Sequence, residues 1–86
     1  MTADIALRLK RLKIRAWHRG TLEMDMILGP FCDAHAATLG PTELDRFEDL
    51  LCENDQDLYL WVSGQSPSPP QYSGLIETIQ AHTGTN

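Results

Sequence analysis

Apolar residues recur at steps of three and four along most of the chain, and no stretch shows a clean alternation. Helix faces repeat every ~3.6 residues and strand faces every second one, so this pattern specifies helices and leaves no half-buried strand. Ile5, Leu9, Leu12 and Ala16 place a first helix over residues 4–16, with Leu7 and Ile14 left on its far side. A second helix starts at Gly20 or Thr21. Met24, Ile27, Leu28, Phe31 and His35 share one of its faces, and Leu22 and Met26 lie on another. Gly29-Pro30 predicts a kink or a break there, because an internal proline removes a hydrogen bond and crowds the preceding turn. The helix is expected to resume as far as Leu39.

Gly40-Pro41 closes that segment, and Thr42 is the expected N-cap of a third helix. Its stripe is Leu44, Phe47, Leu50 and Leu51, and it is expected to run to Glu53. Asp55 is the expected cap of a short fourth helix carrying Leu58, Trp61 and Val62, with Gly64 as its stop. QSPSPPQ, residues 65–71, reads as a proline-stiffened loop. Leu75, Ile76 and Ile79 mark a last helix, and residues 83–86 are expected to fray. The expectation is an all-α fold: a small five-helix bundle forming a single domain over residues 1–86.

A chain of 86 residues has little room for both a full core and a deep substrate pocket. That favours a binding module over an elaborate enzyme. The net charge of −5 conceals a division: six of the seven Lys and Arg residues fall within the first 20 positions, opposed there by Asp4 alone. From residue 21 onward Arg46 is the only cation among an excess of carboxylates. The two parts attract each other within the fold, or the basic end meets an acidic or phosphate-bearing partner.

Cys32 and Cys52 are too few and too far apart for a disulfide framework or a zinc site. Both lie in apolar helical surroundings and are expected to be buried free thiols. No apolar run approaches the length of a membrane span. The amphipathic start MTADIALRLKRLKIRAW has the basic character of a transit peptide but no serines, and its pattern continues into the domain. It is read as mature protein in a cytoplasm.

There is no phosphate-binding glycine loop, no paired zinc-ligand spacing and no nucleophile signature. No catalytic residue and no metal ligand is therefore assigned. His35 lies on an apolar face and is expected to be buried and hydrogen-bonded. His18 is expected to be exposed beside Arg19. The carboxylates of residues 43–57 read as a solvated surface, and Phe47 and Trp61 as core. Trp17 falls off the first helix's stripe, and either packs under the next turn or sits at the surface.

One segment resists the plain structural explanation. In Arg19-Gly20-Thr21-Leu22-Glu23, the glycine serves a turn between two helices, and Arg19 and Glu23 are spaced for a surface pair. The same residues also describe a docking surface. Glycine admits a second backbone, the charges orient it, and the apolar margin beside Glu23 supplies area. On spacing alone both readings stand.

Arg19, Gly20 and Glu23 fit the RGxxE motif of the SdhE family, the flavinylation factors of succinate dehydrogenase. The run EMDMILGPF at 23–31 and the block FEDLLCENDQDLYLWV at 47–62 also resemble that family, the latter with Asp55, Asp57, Leu58 and Trp61 in a D-x-D-L-x-x-W pattern. The resemblance covers residues 8–64. It implies a five-helix assembly factor, not an enzyme, that binds the flavoprotein subunit of succinate dehydrogenase, and in some bacteria that of fumarate reductase. That factor promotes covalent attachment of FAD to its partner and holds no cofactor stably itself.

By carry-over, Arg19, Gly20 and Glu23 form the partner-binding surface, flanked by Arg15 and His18, with Asp25 as a further acidic position. Arg19 and Glu23 are expected to pair with charges on the partner, and Gly20→Arg to abolish binding while leaving the bundle folded. The protein is expected to be a monomer in a bacterial cytoplasm. The alternatives are an antitoxin-like or other protein-binding regulator, and a nucleic-acid binder using the basic first helix. The acidic body weighs against the last.

Overall fold

A computed structural model describes residues 3–84 of the chain. Among them run five α-helices: α1 (Ala3–Trp17), α2 (Leu22–His35), α3 (Pro41–Leu50), α4 (Asp55–Val62) and α5 (Ser73–Thr83). Single 3₁₀ turns follow α2 (Ala36–Thr38) and precede α5 (Pro70–Tyr72), and no strand occurs among the described residues. The fold is the expected all-α bundle of five helices.

Each helix contributes its apolar stripe to one core. Leu12 and Ala16 of α1 meet Met24, Leu28 and Phe31 of α2, and all five are essentially inaccessible to solvent. Phe47 of α3 lies with its ring centroid 5.6 Å from that of Phe31, tilted by 58°. Leu58 and Val62 of α4 and Leu75, Ile76 and Ile79 of α5 close the cluster. Phe47 is core as expected, while Trp61 is half-buried against the core's edge. Gln80 of α5 donates to the carbonyls of Trp61 and Val62 at 3.2 and 3.3 Å, tying α5 to the open end of α4.

α2 differs from expectation at Gly29-Pro30. The helix does not break there, and continues to His35 with Pro30 inside it. Pro30 forfeits one backbone hydrogen bond, but Leu28, Phe31 and Cys32 on either side are buried. Tertiary packing of that face outweighs the local defect. The α-helical geometry then gives way to the 3₁₀ turn at Ala36, three residues short of Leu39.

Two caps fall one or two residues earlier than expected. Gly40, not Thr42, caps α3, because Pro41 occupies the first helical position, where its missing N–H is no loss. Asn54, not Asp55, caps α4, its side chain accepting from the Asp57 N–H at 2.9 Å. α3 ends at Leu50, and its chain tightens into i→i+3 bonds at Cys52 and Glu53 instead of remaining α-helical to Glu53. At the other end of the chain, Thr83 is helical and Gly84 terminates α5 with φ +77°. Of the tail expected to fray, residues 85–86 lie outside the described residues.

The cysteines part company. Cys32 is buried as expected, and burial pushes its thiol up to about 11. Cys52 is exposed, because α3 has already ended and the tight turn carries it off the apolar stripe. His35 is half-buried, with its ring stacked on Phe31 at 5.0 Å and edge-on to His82 at 5.0 Å.

Candidate functional site

The segment between α1 and α2 is a turn of four residues, His18 to Thr21, built by its own side chains. Gly20 has φ +117°, a conformation that side-chain-bearing residues rarely adopt. Space is not what demands glycine: a Cβ there would meet only Asp55 Oδ2, at an ordinary 3.6 Å. Thr21 then caps α2, its hydroxyl accepting from the Met24 N–H at 3.3 Å. Asp25, one turn into α2, reaches back and accepts from the backbone N–H of Arg19. Both ends of the turn are thereby latched to the first turn of α2.

Arg19 itself points inward. Its Nε donates to Asp55 Oδ1 at 2.9 Å, one terminal nitrogen donates to the Glu53 carbonyl at 2.8 Å, and the other donates to the Leu51 carbonyl. The Arg19 side chain is 10% exposed and that of Asp55 18%. These carbonyls follow the end of α3, where no helical N–H can reach them, and a planar guanidinium matches such a diverging set of acceptors. The two sequence blocks, RGxxE and the segment beginning at Asp55, are thus joined by one side chain. No Arg19–Glu23 pair forms among the described residues.

Glu23 faces the other way. It is exposed, and its carboxylate has no hydrogen bond or ion pair among the described residues. It stands between two adjoining hollows of about 420 and 350 Å³ along the seam of α2 and α4. Glu23 and Tyr59 line both hollows. Leu22 and Met24 join them in one, and Ile27 and Val62 in the other. Leu22 is 76% exposed and Tyr59 39%, so the seam offers apolar surface to an incoming partner.

The remaining predicted residues lie elsewhere. Arg15 is half-buried and donates to Cys52 Sγ at 3.2 Å, in a hollow shared with Arg8, Arg11 and Glu48. His18 is exposed and lines a fourth hollow with Trp17, Ile14 and Lys10. The six predicted residues therefore divide. Arg19, Gly20 and Asp25 build the turn, Glu23 occupies the surface it creates, and Arg15 and His18 line separate hollows.

Several contributors escaped the sequence reading. Asp55 was visible as a helix cap and as part of a motif block, but not as the partner of Arg19. Tyr59 lies between the block's named positions. Gly29 is the third: a Cβ there would come within 2.3 Å of Trp17 Cδ2. The indole lies against the backbone of α2 at Gly29, with Nε1 donating to Asp33 Oδ2 at 3.2 Å. A glycine in mid-helix beside a proline was the available signal. Among the described residues no group of three or more His, Cys, Asp or Glu is placed to hold a metal. Among the described residues no helix is long and apolar enough to cross a membrane.

Comparison with known proteins places this arrangement. A family described as "Flavinator of succinate dehydrogenase" matches residues 10–83. The chain belongs to that family. It is 41% identical over 86 residues to an FAD assembly factor SdhE of Acetobacter pasteurianus, covering 94% of this chain and 79% of the relative. It is 33% identical over 86 residues to the FAD assembly factor SdhE of Photobacterium profundum, covering 99% and 93%. The succinate dehydrogenase assembly factor 2, mitochondrial, of Drosophila grimshawi is 31% identical over 81 residues, covering 91% of this chain and 55% of the longer fly protein. The family consists of assembly factors and not of enzymes.

Proposed function

We propose that this chain binds the flavoprotein subunit of succinate dehydrogenase and promotes covalent attachment of FAD to it. The observation that carries this reading is the unpaired Glu23 on an apolar seam, held in place by the Arg19 clamp, in a member of the flavinator family. The contribution is positional. Covalent attachment requires flavin and acceptor side chain in reactive geometry, and a partner that binds one conformation of the apo-subunit shifts its population toward that conformation. The chain holds no FAD stably and acts as a monomer in a bacterial cytoplasm. The flavoprotein subunit of fumarate reductase is a second client.

The basic first helix does not favour the nucleic-acid alternative. Arg8 is engaged by Asp45 and Glu48, Lys13 lies 3.6 Å from Asp33, and Arg15 and Arg19 make internal contacts. Much of the basic charge therefore serves the fold. The test is a pull-down from lysate with the wild-type chain and with Glu23→Ala, followed by in-gel fluorescence for covalent flavin. Wild type is expected to recover the flavoprotein subunit and Glu23→Ala to recover little. Recovery of a toxin or of nucleic acid in place of a flavoprotein would overturn the reading.

A further inference from the structure

We propose that the seam between α2 and α4 receives a partner segment carrying a lysine or arginine beside an apolar side chain, with the cation seated on Glu23. This rests on the reading above that the chain docks on a flavoprotein subunit, and specifies what that subunit must present. The RGxxE motif suggests a mixed-charge surface, with Arg19 and Glu23 both reaching outward. The structure assigns them differently. Arg19 has its side-chain donors on Asp55, Glu53 and Leu51, and is 10% exposed. The charged side chains lining the two hollows are the carboxylates of Glu23 and Asp55, and Asp55 is already paired with Arg19.

Docking on this seam takes Glu23 out of water. A carboxylate buried without a countercharge is strongly penalised, and no cation among the described residues lines the hollows to compensate it. The compensating charge therefore comes from the occupant. The rest of the lining sets the remainder of its chemistry. Leu22, Ile27 and Tyr59 flank Glu23 with apolar surface, and Leu22 protrudes at 76% exposure. An aliphatic or aromatic neighbour of the cation fills that surface, as apolar anchors do at the centre of interfaces.

The experiment titrates the purified, FAD-free flavoprotein subunit of succinate dehydrogenase with the wild-type chain, Glu23→Gln, Glu23→Lys and Leu22→Ser, at low and high salt. Circular dichroism verifies that each variant is folded. The inference predicts about tenfold weaker binding for Glu23→Gln and a larger loss for Glu23→Lys. It also predicts that the salt dependence of wild-type binding is reduced in Glu23→Gln. One exchange within a panel of single Lys→Glu and Arg→Glu variants of the subunit restores binding to Glu23→Lys. Equal binding by wild type, Glu23→Gln and Glu23→Lys, with Leu22→Ser still impaired, overturns the cation while leaving the proposed function standing. Failure of every member of the panel to restore Glu23→Lys also overturns it. No binding by the wild-type chain at any salt concentration overturns both.

Discussion

Arg19 and Glu23 belong to one motif but have separate physical roles. Removing the Arg19 side chain strips Asp55 of its cation and leaves two carbonyls without their donor. Arg19→Ala should therefore lose about 3 kcal/mol of stability, and Arg19→Lys should recover only part, since an ammonium cannot span the three acceptors. Glu23→Gln touches no internal bond and should stay within about 0.5 kcal/mol of wild type. Urea unfolding midpoints of the three variants check both statements. A Glu23→Gln protein as unstable as Arg19→Ala contradicts the division of roles. Gly20 belongs with Arg19. Any side chain at φ +117° is strained by about 1–3 kcal/mol, so Gly20→Arg perturbs the turn as well as the surface. A loss of binding in Gly20→Arg would therefore mix lost stability with lost docking, and Glu23 is the cleaner probe of docking.

At the scale of elements, Trp17 against Gly29 adds a close approach to the packing of α1 on α2 made by Leu12 and Ala16. Gly29→Ala places a methyl group 2.3 Å from the indole, against a ring that its Asp33 hydrogen bond holds in place. It should destabilise by about 1–3 kcal/mol and shift the tryptophan emission, which equilibrium unfolding followed by fluorescence measures. An unchanged midpoint and spectrum would mean the indole is free to move. The helices themselves were legible in advance because each carries an unbroken stripe such as Leu44, Phe47 and Leu50. The caps were less so. Asn54 and Asp55 are adjacent acceptors, and only the backbone geometry decides that Asn54 caps while Asp55 is released to meet Arg19. That Arg19 reaches across 36 positions to Asp55 is a tertiary fact with no local trace. The same holds for Trp17 over Gly29. The exposed position of Glu23 was legible, since its place at the margin of an apolar helix face follows from periodicity alone.

For the whole molecule, the charge division in the sequence resolves into structure: basic α1 is bound to acidic α3 through Arg8 with Asp45 and Glu48, at 2.6 and 2.9 Å. Two acids titrate abnormally in the folded state. Burial raises the Cys32 thiol from 9.0 to about 11. Burial, then the hydrogen bond to Glu53, raises the Tyr72 phenol from 10.0 to about 12. In each case the unfolded chain ionises first as pH rises, so the stability these two groups contribute is fully present below pH 9 and is lost progressively between pH 9 and 12. Thermal melts across that range should show the decline, and Cys32→Ala should remove its earliest part. A flat profile through pH 11 contradicts it. The larger claim is that the seam beside the Arg19-built turn grips a flavoprotein subunit while its flavin becomes attached. In-gel fluorescence of that subunit, in cells with and without this chain, tests it most directly. The account predicts a strong covalent-flavin band that fades when the chain is absent and returns with the wild-type chain but not with Glu23→Lys. A band of equal strength in cells lacking the chain would contradict it.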